Sequence, residues 1–170
     1  MNDPIEQLIE EHRNILRGVK LLEITGRMAQ DKVLPKTEVE NLLEFFKKYA
    51  DDGHHAKEEK VLFSRLYEKD EGLKKESSPL SVLADQHVTG RKLVSNISKM
   101  DGGFSYHVED YSALLKRHID IEDEVFPVLA TDYLTEAEIA LIMTDFQVED
   151  DLRDLNGALK LLDKVEIQLL

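Results

Sequence analysis

The sequence predicts an all-α fold, an up-down-up-down four-helix bundle followed by one or two additional C-terminal helices. Three observations carry that expectation. Glycine and proline are scarce, 8 and 4 of 170 residues, so few positions oppose a helix. Alternation of apolar and polar residues with period two is absent. Apolar residues instead recur in steps of three and four along several long stretches, the mark of amphipathic helices.

The first helix should open at Asp3-Pro4, with Asp as cap and Pro in the first turn. Its apolar seam is Ile5, Leu8, His12, Ile15, Val19 and Leu22. A break is expected from Asp31 to Pro35. The second helix should start near Thr37, with Glu40 completing a capping box. Gly53 falls inside it and suits a helix interior poorly, so a close contact or a local irregularity is expected there. Asp70-Glu71-Gly72 ends this helix. The third carries the seam Leu80, Leu83, His87, Gly90, Val94 and Ile97 and stops by Asp101-Gly102-Gly103. The fourth reads Phe104, Val108, Tyr111, Leu115, His118 and Glu122, continuing through Val125 to Leu129. A fifth helix starts at Thr135, capped through Glu138, and buries Ile139, Ile142 and Phe146. The tail is helix-like, with Leu152, Leu155, Leu159 and Leu162 in register. Residues 1–170 are expected to form one domain, with the bundle over about 3–130 and the extension over about 135–168.

Composition narrows the function. With 22 Lys and Arg against 35 Asp and Glu, the formal charge is −13, which repels phosphate backbones and argues against nucleic acid. There are no cysteines, so disulfides, iron–sulfur clusters and thiolate zinc sites are excluded. No apolar run reaches the roughly 20 residues of a membrane span. The N-terminal residues have neither the basic nor the apolar region of a signal peptide, so a cytoplasmic location is expected.

What remains is the ionisable residues inside apolar stripes, where burial without a partner costs several kcal/mol. In antiparallel helices joined by short loops, residues equidistant from a turn share a level. The midpoint of His12 and His54 is position 33, inside the first break. That of His54 and His87 is 70.5, in the second, and that of His87 and His118 is 102.5, in the third. All four histidines therefore converge on one layer. Glu58 and Glu122 follow His54 and His118 by four residues, about 6 Å along parallel helices. Such a set suits a first-row transition metal, and carboxylates can bridge two cations. Nitrogen and oxygen donors without thiolate favour a non-haem iron pair, with zinc and manganese left open. His55 and Glu59 form an overlapping pair one residue on. His55 is either an extra ligand or a surface residue, and Glu59 lies behind the ligands or in solvent. His107 is about 16 Å from His118 along the helix, too far to join them.

Four segments stand out together: Glu11-His12-Arg13, His54-His55-Ala56-Lys57-Glu58-Glu59, His87-Val88-Thr89-Gly90-Arg91 and His118-Ile119-Asp120-Ile121-Glu122. Through them the sequence resembles the hemerythrin-like HHE cation-binding family over roughly residues 5–150. The resemblance implies an oxo- or hydroxo-bridged di-iron centre with His12, His54, His87 and His118 as terminal ligands and Glu58 and Glu122 as bridges. Two positions depart from the pattern. Arg91 stands where oxygen carriers of the family have a second histidine on the third helix, and Glu122 replaces an aspartate one residue further along. His55 could fill the missing nitrogen position, an open position could be left, or Arg91 could pair with a nearby carboxylate.

The expected function is a protein that binds or reacts with O2, NO or peroxide as sensor, scavenger or iron-handling module. The alternatives are a di-iron oxidase and a metal-dependent signalling module with a mononuclear site. A protein partner or homo-oligomer is compatible with either, and whether the chain is an enzyme stays open.

Overall fold

The computed structural model describes residues 3–170. Helix α1 (Pro4–Gln30) opens as its sequence dictates: the Asp3 carboxylate accepts the Ile5 N–H at 2.7 Å, and Pro4 occupies the first turn. Residues 36–69 then form one rod made of α2 (Lys36–Phe45), two π-helical stretches (Phe46–His55 and Glu58–Phe63) and α3 (Ser64–Lys69). The expected capping box at Thr37 does not form. Pro35 takes the cap position without a side-chain bond, and Thr37 already lies inside the first turn. After a 3-10 turn (Glu71–Lys74), α4 (Pro79–Ile97) starts under the Ser78 hydroxyl, which accepts the Ser81 N–H.

Helix α5 (Phe104–Tyr133) is the longest. Near its end the seam passes through Phe126, buried against the Phe63 ring, rather than Val125, which is half-buried. From Glu122 a step of four lies nearer one 3.6-residue turn than a step of three. Helix α6 (Glu136–Asp151) has the full capping box of Thr135 and Glu138. The tail divides at residues 152–154, so α7 (Leu155–Leu169) is a second extra helix. That break leaves Leu152 67% exposed, and the tail instead buries Ala158, Leu162 and Val165.

Helices α1, α4, α5 and the 36–69 rod form the bundle. Two apolar clusters fill it. One joins Val19, Leu22, Phe45, Phe46, Ile97 and Leu115, and α7 covers it with Leu162 and Val165. The other joins Leu8, Leu62, Phe63, Leu83 and Phe126, and α6 covers it with Ile142 and Phe146. Full burial of each such side chain stabilises the fold by about 1.5–3 kcal/mol. The histidine and glutamate layer lies between the two clusters, so its depth is held from both ends.

Candidate metal centre

His12 comes from α1, His87 from α4, and His118 and Glu122 from α5, all from regular helix on the seams that face inward. The second rod contributes His54, His55 and Glu58 by a different route. In a π turn the backbone bond closes on the fifth residue instead of the fourth, so an extra residue fits into the turn. Two successive histidines, which an ordinary helix would point about 100° apart, are thereby both buried, 1% and 6% exposed. The irregularity expected at Gly53 is this π-helical stretch, and a close contact accompanies it. A Cβ at Gly53 would stand 2.7 Å from Leu155 of α7.

The imidazoles form two pairs with facing Nε2 atoms: His12 with His54, and His87 with His118, each at 3.0 Å. Every Nδ1 is engaged from behind. Asp123 takes His12 at 2.8 Å, Glu11 takes His54 at 2.8 Å, Glu59 takes His87 at 2.7 Å and the Gln86 Oε1 takes His118 at 2.9 Å. An acceptor on Nδ1 fixes the N–H there and turns the Nε2 lone pair inward, the arrangement in which imidazole binds metal.

Each carboxylate reaches both pairs. Glu58 lies 3.1 Å from His54 Nε2 and 3.2 Å from His87 Nε2 through its two oxygens. Glu122 does the same with His12 at 3.1 Å and His118 at 2.8 Å. Both glutamates are fully buried, and their four oxygens approach the rings without hydrogen-bond alignment. Buried, unaligned carboxylate oxygens facing imidazole lone pairs fit a divalent cation on each side. Two sets of donors, each within 4.8 Å of one another, share Glu58: His12, His54, Glu58 and Glu122 in one, His55, Glu58, His87 and His118 in the other. The donor chemistry fits a metal pair.

The protonation pattern points the same way. Burial would lower the His54 pKa, but Glu58 and Glu11 outweigh it and hold it near 10. His87 is likewise raised, against burial, by Glu122, Glu58 and Glu59. Burial would raise the Glu58 pKa, and Glu122 adds to that, yet His54 and His87 bring it down to about 2. Protons on the rings thus balance the two carboxylates where cations would otherwise do so. His55 is pushed down to about 3 by burial and by the neighbouring His87, so it presents a neutral ring.

The two halves differ in surroundings. Behind His54, Glu11 is bound by Lys57, a fully buried lysine whose ammonium also meets Asp150 of α6 at 2.6 Å. Arg153 donates to the Asp52 carbonyl at 2.7 Å, so the corner between α6 and α7 grips the π-helical stretch. On the other side, His55 stacks on His87 with ring centroids 4.0 Å apart, and a cavity of about 300 Å³ opens against His55, His87 and His118. Arg91 borders it and does pair with carboxylates, Asp51 at 2.7 Å and Glu59 at 2.8 Å.

The sequence model of the Hemerythrin HHE cation binding domain matches residues 3–129, three quarters of the chain and every donor named above. The chain belongs to this family. No curated protein and no solved structure matches it. Membership makes the domain a cation-binding one, with helices α6 and α7 lying outside the matched segment. Among the described residues no helix is long and apolar enough to cross a membrane.

Glu59 stands behind His87, and His107 is half-buried at the Gly103 end of α5, away from the donors. Sequence reasoning gave no role to Glu11, Asp123, Gln86, Lys57 or Asp150. Glu11 and Asp123 each adjoin an inward-facing donor in sequence, but each serves a histidine on another helix. That adjacency is the signal the sequence carries, and it names the wrong partner: His12 for Glu11, which serves His54, and Glu122 for Asp123, which serves His12.

Proposed function

We propose that this domain holds two metal ions, iron in the cell, between His12/His54 and His87/His118, with Glu58 and Glu122 shared and His55 as an additional donor. It binds or reacts with O2, NO or peroxide, as a sensor, scavenger or iron-handling module. The observation that carries this reading is the pair of donor sets sharing Glu58, with a cavity against His55, His87 and His118 of one of them. Bound iron would supply one-electron chemistry toward the diatomic. The chain itself positions and insulates. Asp123, Glu11, Glu59 and Gln86 fix the ring orientations, and Leu115, Tyr111 and Phe46 limit water on the open side. Residues 1–170 act as one domain in this reading, supported by the way α6 and α7 complete the two core clusters, and the setting is cytoplasmic.

The test is metal content per chain after growth with added iron, with optical spectra before and after anaerobic reduction and air exposure. About two irons per chain with charge-transfer bands that bleach and return are expected. One zinc per chain with no reversible spectrum would replace this reading with a mononuclear structural site.

One contact network favours a second, signalling use. His54, Glu11, Lys57 and Asp150 link the centre to α6 in a continuous chain. Under that reading, amide hydrogen exchange in α6 and α7 rises when metal is stripped. Unchanged exchange would remove it.

A further inference from the structure

The cavity beside His55, His87 and His118 is far larger than a diatomic requires. Its volume of about 300 Å³ is many times what a single water needs, and it falls at the lower end of the range of pockets for organic ligands. Its walls are chiefly carbon, from Phe46, Ala50, Val94, Tyr111 and Leu115.

Gly90 shows how that space is kept. Elsewhere in the helices, glycine marks tight packing: a Cβ would stand 2.6 Å from Phe45 at Gly18 and 2.7 Å from Leu155 at Gly53. At Gly90, in the middle of α4 and one turn past His87, it would meet only Tyr111 at 3.7 Å and Leu114 at 3.8 Å, ordinary contact distances. Glycine costs a helix interior about 1 kcal/mol relative to alanine. Packing does not demand it here. What its missing side chain provides is room over the metal-facing rings.

The polar groups define the occupant further. Arg91 is paired with Asp51 and Glu59, and Lys47 with Asp52 at 2.6 Å, so the rim offers no uncommitted charge to an anionic ligand. The Gln86 Oε1 accepts the His118 Nδ1–H, which leaves the Gln86 amide N–H groups as neutral donors at the wall.

We propose that this chamber takes a small, uncharged, largely apolar organic molecule of phenol size with one hydrogen-bonding group, seated against His55, His87 and His118. The inference rests on the reading that this face of the centre is the one open to exogenous molecules.

The probe is para-fluorophenol, followed by fluorine NMR on the full chain, metal-loaded and metal-stripped, with para-fluorobenzoate as the charged comparison. Saturable binding is expected, weaker for the benzoate by about tenfold or more, and weakened by at least about tenfold in Gly90→Leu, which fills the chamber. Gly90→Ala should leave most of the affinity intact. Should Gly90→Leu not fold, Val94→Phe fills the same space from further along α4. Absence of saturable phenol binding to the wild-type chain overturns the proposal. So does binding that the filling variants leave unchanged, or equal affinity for the benzoate. Metal content is assayed on each sample. A wild-type chain without a metal pair sinks the reading of the centre, whereas the chamber is judged on probe binding alone.

Discussion

The two halves of the centre use the same donors in opposite settings. Around His12 and His54, both outer partners are carboxylates, Asp123 and Glu11, and a buried lysine anchors the second of these to α6. Around His87 and His118, one carboxylate is shared with Arg91, the other partner is a neutral amide, and a cavity adjoins the rings. Burial of the rings does not distinguish the halves, because all four are about 2% exposed or less. The difference lies one layer further out. Negative charge behind an imidazole raises its basicity as a ligand. By that rule the closed half would hold a cation the more tightly, and the open half would leave room beside one.

The largest expected effect comes from removing what the halves share. Glu58→Ala should take metal content from about two equivalents to near zero, because both donor sets lose a buried oxygen ligand. His12→Ala should empty the closed half and leave about one equivalent on the open side. If Glu58→Ala also retained one equivalent, the sharing would be wrong. Next in size are the outer partners. Asp123→Asn should weaken the closed half by about 10–100-fold in a chelator competition, while Gln86→Glu should tighten the open half. Equal effects on both halves would erase the asymmetry.

The pH dependence of the metal-free chain is smaller. His54 has a folded pKa near 10, above its ordinary value of 6.5. Its contribution is complete below pH about 6.5 and is lost as pH rises toward 10. Glu58, lowered from 4.5 to about 2, contributes above pH 4.5 and is lost as pH falls toward 2. The metal-free thermal midpoint should thus peak between these windows, and metal loading should flatten the alkaline arm, since cations replace the ring protons. A midpoint that climbs steadily from pH 7 to 10 would contradict the charge balance. The smallest effect is Gly90→Ala. It should raise stability by up to about 1 kcal/mol, a gain of about 2–4 °C, without changing metal content. A loss would mean that the chamber wall cannot take even a methyl group.

The bundle was legible because helix periodicity and loop positions are local. Asp3-Pro4 and Thr135 with Glu138 announce their helices, and the seams of α1 and α4 lie where three-and-four spacing puts them. The convergence of His12, His54, His87 and His118 followed from loop midpoints alone. Four features escaped. Thr37 resembles a cap but stands two positions past Pro35, which takes that place, and the turn at residues 152–154 breaks a leucine series that reads as continuous. The partners on Nδ1 join different helices, so no spacing along one helix reveals them. His55 stayed ambiguous because its direction depends on the π-helical backbone, which the sequence hints at only through Gly53.

That backbone has a practical corollary. A π turn is one residue longer than the α turn it replaces, so it behaves as an insertion accommodated without a loop. Deleting one residue from 47–52 would let the turn close as ordinary helix, with Leu42 and Phe45 before it and Glu58 after it still facing inward. Adding one residue there finds the wider turn already spent, and would swing the following donors by about 100°. The rod tolerates a shorter chain at this point better than a longer one.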